Sequence, residues 1–274
     1  MRSRQLDNWF YTSSGLAIFP FSTRIIISLG LAVTLLASSP LAGAVDPPPG
    51  GGYGNGNTAL GTDAPFSLTD GSSNTAIGET ALHDNTGGTG NNAIGDHALF
   101  SNILGGGNNA LGLYALYTNT TGSGNTAIGD LALVGNTIGD DNTAVGADTL
   151  VYNTSGFGNT AIGITALNFN TTGSYNTAMG SDALAFNSIG AENTAIGDGA
   201  LNKNTTSSNN IAIGKIAGYK ITTGSNNIDI GNQGAAGRES NTIRIGNKTI
   251  TTEHLYCQDQ RGDSGRWCGR NRGH

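Results

Sequence analysis

Small, aliphatic and amide side chains alternate along most of the chain in a pattern with a strict 17-residue period. An Asn recurs eleven times from Asn57 to Asn227 without insertion, and a Gly follows each one after four residues. The residue before that Gly is aliphatic or Met in every copy, so the unit reads N-T-A-I-G-x-x-A-L-x-x-N-T-T-G-x-x. A fixed period of this kind is typical of a solenoid, whose units are stable only when stacked.

Each N-T-A-I-G segment is predicted to form a short strand. Successive side chains point to opposite faces, so Thr and Ile share one face while Asn and Ala share the other. Parallel stacking aligns the Ile positions into one ladder and the Leu positions into a second on the return segment, which is either a strand or a single helical turn. We expect both aliphatic side chains to be buried, contributing roughly 4 kcal/mol per coil.

The Asn and Gly positions have their own predicted roles. We expect the side-chain amides of the Asn residues to form hydrogen bonds to the next coil. We expect the Gly residues to lie at corners, where φ is positive or where two backbones approach closely. The predicted structural ladder, sampled from four copies, comprises Asn74, Ile77, Gly78, Leu82, Asn125, Ile128, Gly129, Leu133, Asn159, Ile162, Gly163, Leu167, Asn193, Ile196, Gly197 and Leu201. No catalytic, cofactor-binding or metal-binding residue is predicted.

The predicted fold class is all-β, a parallel β-roll or β-solenoid of eleven 17-residue repeats over residues 57–247. Ordering one such repeat costs roughly 25 kcal/mol, which is far more than two buried aliphatic side chains supply. Backbone ladders and Asn stacks must offset part of the difference. The thin core also predicts that one face of each coil is buried against another chain, as in an oligomer.

The N-terminal segment has the pattern of a secretory signal. Arg2, Arg4 and Arg24 precede an apolar run over residues 25–36, and small residues at 42–44 fit a cleavage site. We expect a signal peptide at 1–44; a retained membrane anchor is the alternative, although the apolar run is short for a span. Residues 45–56 read as a Pro/Gly linker without core-forming side chains.

The repeat resembles a known family. N-T-A-I-G-x-x-A-L with N-T-T-G turns, and the ending S-N-T-I-R-I-G-N at residues 240–247, are similar to the head repeats of YadA-like trimeric autotransporter adhesins and to related repeats of bacterial and phage tail-fibre-domain proteins. The resemblance implies a left-handed roll, a homotrimer, and display at a cell surface, outer membrane or virion for attachment. Together with the signal pattern, it predicts an exported protein that is located at the cell surface, associated with the outer membrane or extracellular.

Residues 248–274 form a predicted irregular tail that departs from this family. Family members continue into a coiled-coil stalk and barrel segment or into a self-cleaving chaperone domain, and neither pattern follows residue 247. From Cys257 the composition shifts to Arg, Asp, Gly, Cys and Trp. The hypothesis is a frameshift that truncated a longer protein, which sequencing of the locus would test.

Composition and charge exclude several classes of function. The chain has 44 Gly, 12% charged residues and a formal charge of −6. No Lys or Arg lies between Arg24 and Lys203, whereas 13 acidic residues lie between Asp46 and Asp198, which excludes nucleic-acid binding by the rod. The four His have no metal-ligand spacing, and no P-loop or nucleophile-elbow motif occurs. No cofactor is expected.

The expected function is that of a non-enzymatic adhesin or fibre-type repeat protein, whose repeated loops bind a host receptor, matrix protein or glycan through avidity. The expected partners are copies of itself, with no membrane-spanning domain after signal cleavage. A polysaccharide-cleaving β-helix enzyme and a non-functional truncated tail-fibre-like protein are less favoured interpretations.

A monomeric solenoid that binds an ordered surface such as ice is a further interpretation. Its Thr column comprises Thr58, Thr75, Thr126, Thr143, Thr160, Thr177 and Thr194. Asn92 and Asn109 interrupt this column. Because Thr lies on the same side as the Ile ladder, which is expected to be buried, the Thr side chains are expected to point inward.

Overall fold

The computed structural model describes residues 54–64, 67–235 and 237–246. The described part is an all-β solenoid built from twelve short strands. A 3₁₀ turn, Gly54–Gly56, precedes the first strand. The strands are β1 Thr58–Leu60, β2 Thr75–Ile77, β3 Asn92–Ile94, β4 Asn109–Leu111, β5 Thr126–Ile128, β6 Thr143–Val145, β7 Thr160–Ile162, β8 Thr177–Met179, β9 Thr194–Ile196, β10 Ile211–Ile213, β11 Ile228–Ile230 and β12 Ile243–Ile245.

The twelve strands form one parallel sheet in chain order, β1 to β12. Each residue pairs with its equivalent in the next repeat, as in the pairing of Ala127 with Ala144. This register is constant from β1 to β11, but Ile228 pairs with Ile243, so the last interval is shorter by two residues than the others. The predicted parallel stacking is confirmed, with a twelfth strand beyond the eleven Asn-marked repeats.

Three columns of apolar side chains fill the interior. The central Ala of most strands is buried, and so are the Ala and Leu that follow the corner Gly, as at Ala144, Ala132 and Leu133. The small volume of Ala lets the sheet and the return segment approach closely. The fully buried Leu side chains are Leu82, Leu99, Leu116, Leu133, Leu150, Leu167, Leu184 and Leu201.

The return segment is neither a strand nor a helix. It is a run of turns in which Leu133 has φ 54° and Leu131 has φ 60°, so two non-Gly residues of this coil occupy the left-handed region. The nitrogen of Leu133 donates to the oxygen of Thr149 in the next coil, and that of Leu131 donates to the oxygen of Leu113 in the previous coil. Bonds to both neighbours hold these residues in a conformation that an isolated chain disfavours.

The expectation that the Ile column is buried in each coil is wrong for a single chain. Ile128 is 40% exposed, Ile162 37% and Ile196 38%, and Ile77 is half-buried. Alternation places Asn and Ala on the inner face, so Thr and Ile face outward. The narrow interior already holds Ala from both sides and one Leu, which leaves no volume for a second large side chain.

Most of the flanking segments lie outside the described residues. These are the predicted signal peptide at 1–44, most of the linker at 45–56 and the tail at 248–274. The described strands run from Thr58 to Ile245, inside the predicted repeat domain of 57–247. In the part of the chain that the structure describes, no helix is long and apolar enough to cross a membrane.

Candidate interaction surface

A buried ladder of Asn side chains fixes the height of every coil. Asn142 donates from Nδ2 to the oxygen of Gly156 at 2.8 Å and to Oδ1 of Asn125 at 3.1 Å. Its own Oδ1 accepts from the backbone nitrogen and Nδ2 of Asn159, at 3.1 and 3.0 Å. Each amide thus links three consecutive coils. The ladder comprises Asn57, Asn74, Asn91, Asn108, Asn125, Asn142, Asn159, Asn176, Asn193, Asn210 and Asn227.

A second buried Asn ladder lies at the end of the return segment. Asn136 donates from Nδ2 to Oδ1 of Asn119 at 2.8 Å and to the oxygen of Gly139 at 3.0 Å. Gly139 also accepts from Nδ2 of Asn125, so both ladders donate to the same column of Gly carbonyl groups. The predicted amide bonding between coils is confirmed. The second ladder comprises Asn85, Asn102, Asn119, Asn136, Asn153, Asn170, Asn187 and Asn204.

The predicted corner glycines lie where no other residue fits. Gly129 has φ 131°, and a Cβ on it would lie 2.6 Å from the carbonyl carbon and oxygen of Gly146 in the next coil. The same holds for Gly78, Gly163 and Gly197, whose φ values are 140°, 129° and 132°. A Cβ on any of them would clash with the carbonyl group of the corner Gly in the next coil. Close stacking of successive corners keeps equivalent outer side chains in register from coil to coil.

The last residue of each strand forms the aliphatic ladder on the outer sheet face. The aliphatic ladder comprises Leu60, Ile77, Ile94, Leu111, Ile128, Val145, Ile162, Met179, Ile196, Ile213, Ile230 and Ile245. Nearly all are more than a third exposed, from 37% at Ile162 to 53% at Ile245. Together they expose on the order of 900 Å² of aliphatic surface, comparable to one partner's share of about 800 Å² in a standard interface.

The first residue of each strand forms a second outer column whose polarity changes along the rod. Asn92 and Asn109 lie near the N-terminal end, and Nδ2 of Asn92 donates to Oδ1 of Asn109 at 2.8 Å. Thr occupies five consecutive strands from β5 to β9. In the last three strands the column becomes Ile211, Ile228 and Ile243. The outer sheet face is therefore two aliphatic side chains wide only at β10 to β12.

The last two of these strands, β11 and β12, carry charge on their inner face. Asp229 replaces Ala in β11 and is 1% exposed, and Arg244 replaces Ala in β12. Neither carboxylate oxygen of Asp229 has a hydrogen-bond partner, although Nη1 of Arg244 lies 3.9 Å from Oδ1. Burial raises the pKa of Asp229, and the nearby positive charge of Arg244 opposes that effect. Arg244 also bonds to Glu239 and thereby lowers the pKa of Glu239.

Aromatic rings stack on the return segment, away from the outer sheet face. The rings of Tyr152 and Phe169 have centroids 5.1 Å apart, and those of Phe169 and Phe186 are 5.3 Å apart, with interplanar angles of 11° and 6°. A second stack includes Phe100 and Tyr117, also 5.3 Å apart. The rings follow the rise of the coils, so they present their edges to solvent. The repeat unit gives no signal of these stacks, because aromatic residues occupy the position in only some copies.

Four potential N-glycosylation sites of the repeats are buried within the second Asn ladder. Asn119, Asn153, Asn170 and Asn204 each precede Thr or Ser in an N-x-S/T pattern. All four are fully buried and donate to carbonyl groups, so their amides are committed to the fold. Over the described ranges, no group of three His, Cys, Asp or Glu side chains is arranged to hold a metal ion.

Comparison with known proteins adds no identification. No protein-family model and no curated protein matches this chain. The resemblance to adhesin head and tail-fibre repeats therefore depends on the repeat unit itself.

Proposed function

We propose that the chain is a non-enzymatic, exported repeat protein of the adhesin or tail-fibre type, whose coils assemble with copies of themselves into a homotrimeric rod at a surface. The observation that carries this proposal is the aliphatic ladder on the outer sheet face. A patch of this size is uncommon on a monomeric soluble protein and marks an interaction site. The left-handed coil implied by the resemblance is part of the proposal.

A second copy of the chain is the occupant that fits the outer sheet face best. The face repeats at the spacing of parallel strands with a constant register from β1 to β11, so an identical face matches it rung for rung. It carries aliphatic, Thr and Asn side chains and no charged ones among the described strands. Self-association would bury the aliphatic side chains that the narrow interior excludes. The thin core predicts this arrangement, in which one face of each coil is buried against another chain.

Attachment would then involve the surfaces left open after assembly. The turns after each buried Asn and the ring stacks of the return segment lie outside the sheet face. Because each turn recurs with the coil, weak contacts of one turn are multiplied along the rod and across the copies. Proposed partners are a host receptor, a matrix protein or a glycan, with no role for nucleic acid.

Molar mass in solution tests the assembly. Light scattering on a sizing column is expected to give three times the chain mass for the wild type. Ile128→Lys together with Ile162→Lys is expected to give a folded monomer, because two charges interrupt the ladder. Ile138→Lys is the matched control, since Ile138 is 56% exposed but lies outside the strands. A wild-type monomer at every concentration contradicts the proposal.

A panel of immobilised matrix proteins and glycans tests attachment. The wild type is expected to bind at least one surface, and the Ile128→Lys, Ile162→Lys monomer is expected to bind it about 100-fold more weakly because avidity is lost. Equal binding by monomer and oligomer contradicts attachment through avidity.

The outward Thr column favours a second candidate, a monomeric solenoid that binds an ordered surface such as ice. The expectation that Thr on the Ile side points inward is wrong. Thr126, Thr143, Thr160, Thr177 and Thr194 instead form five consecutive outward rungs. Thermal hysteresis by a folded monomer would favour this candidate. An oligomer without thermal hysteresis would exclude it.

A further inference from the structure

The last strands have their hydrophobic pattern reversed. In β11 the sequence Ile-Asp-Ile places Asp229 inside and Ile228 and Ile230 outside, and in β12 the sequence Ile-Arg-Ile places Arg244 inside. Every other described strand has Ala at the inner position. A solenoid whose outer face remained in water would be expected to show the opposite pattern at its end, because polar groups are preferred outside.

The interior at this end contributes less to stability than the interior of other coils. Asp229 is almost fully buried, its only charge partner among the described residues, Arg244, lies 3.9 Å away, and neither carboxylate oxygen accepts a hydrogen bond. A buried polar group without a hydrogen bond lowers stability. The outer face is more apolar here than anywhere else, since Ile211 is 38% exposed, Ile243 60% and Ile245 53%. The reversal is accounted for if this outer face is the part that another chain covers.

The outer face also has a direction. Its first column is polar at β3 and β4, where Asn92 donates to Asn109, although Ile94 and Leu111 continue the aliphatic ladder there. The face is one aliphatic side chain wide from β5 to β9 and two wide from β10 to β12. Contacts surrounded by other apolar contacts exclude water and dominate the energy of an interface, whereas a narrow row of contacts remains hydrated at its edges.

We propose that copies of this chain first associate through the outer face of β10, β11 and β12, and that the contact then extends toward β1. The inference rests on the proposed self-assembly and adds where the assembly begins. The partner is a second copy in parallel orientation, because only that orientation places the wide apolar segments of both chains against each other while the ladders run alongside.

Two triple variants of the full chain test this inference. Ile211→Thr, Ile228→Thr and Ile243→Thr restore the Thr that occupies most of this column, so they retain a good strand former. The control set is Ile128→Thr, Ile162→Thr and Ile196→Thr, which removes three outward aliphatic side chains in the middle of the rod. Circular dichroism at the same concentration checks that both variants fold.

Sedimentation over a range of concentrations gives the dissociation constants. We expect the C-terminal set to weaken association about 100-fold and the central set by less than about 10-fold. Equal weakening, or greater weakening by the central set, overturns the inference while leaving self-assembly intact. A wild-type chain that is monomeric throughout overturns the proposed self-assembly itself.

Hydrogen exchange of the wild type gives a measurement independent of any variant. As the concentration is raised through the dissociation midpoint, amide protection is expected to rise first in residues 211–213, 228–230 and 243–245. Protection that rises first near β3 or β4, or uniformly from β1 to β12, contradicts association from the C-terminal end.

Discussion

The corner glycines offer the sharpest test of how the coils stack. Replacing Gly129 by Ala adds one methyl group at a position with φ 131°. The new Cβ would lie 2.6 Å from the carbonyl carbon and oxygen of Gly146 and 3.0 Å from the nitrogen of Ala147. All three atoms belong to the backbone of the next coil, so no side-chain rotation can relieve the contact.

Two energetic terms determine the expected cost of Gly129→Ala. A left-handed conformation costs an L-residue roughly 1–2 kcal/mol relative to Gly. Separating two closely packed backbones costs about 1–3 kcal/mol more, as overpacking does in other cores. We therefore expect a loss of about 2–5 kcal/mol in the free energy of unfolding, localised between the coils that contain β5 and β6.

Gly107 is the matched control because it tests the backbone term alone. Its φ is 67°, and a Cβ there would have its nearest neighbour 3.9 Å away, at the nitrogen of Gly124. Non-Gly residues already occupy equivalent positions in other coils, including Asp141 and Asn209 with φ of 55° and 59°. Gly107→Ala is expected to cost about 1 kcal/mol.

Urea unfolding of both variants at one protein concentration gives the difference, and hydrogen exchange gives its location. Gly129→Ala is expected to increase exchange in β5 and β6 more than in β1 or β10. A free energy of unfolding for Gly129→Ala within about 1 kcal/mol of that for Gly107→Ala would refute the reasoning, since the contact between corners would then carry no cost.

The buried polar groups support three more predictions. Asn142→Asp is expected to destabilise the fold by at least about 3 kcal/mol at neutral pH, because it buries a charge and removes two donated hydrogen bonds. The control Asn209→Asp changes an exposed residue and is expected to cost under about 1 kcal/mol. Urea unfolding of both variants measures the difference. The pKa of Asp229 is raised in the folded state. Its stabilising contribution to the free energy of unfolding is therefore fully present below the ordinary pKa of Asp and is lost as the pH rises through the folded pKa. Asp229→Ala is therefore expected to stabilise the C-terminal coils by about 1–3 kcal/mol at pH 7 and by less at pH 4, as measured by hydrogen exchange. Expression in a glycosylating host is expected to yield folded protein without a glycan at Asn153; mass spectrometry that finds one on folded protein contradicts its burial.

Some features of the outer surface were not predictable from the repeat unit. The aromatic stack of Tyr152, Phe169 and Phe186 comes from a position that holds Asp84 and Ser101 in earlier coils. A consensus repeat does not show residues that occur in only some copies. The stacking of successive coils brings the ring centroids to 5.1 and 5.3 Å from one another. The inner position of Arg244 likewise emerges from strand pairing, because the interval from β11 to β12 is shorter by two residues than every earlier one.

The sequence by itself determined the parallel stacking, the 17-residue register and the columns of Asn, Gly and Leu. A strict period leaves only one alignment in which every Asn amide meets another and every corner Gly meets a backbone. Only the tertiary structure decided which face of the strand points inward. Alternation makes two faces but does not rank them, and the choice depends on the width of the coil. That width is set by return-segment turns with left-handed residues such as Leu133, which admit Ala and Asn beside a single Leu and leave Ile128 outside.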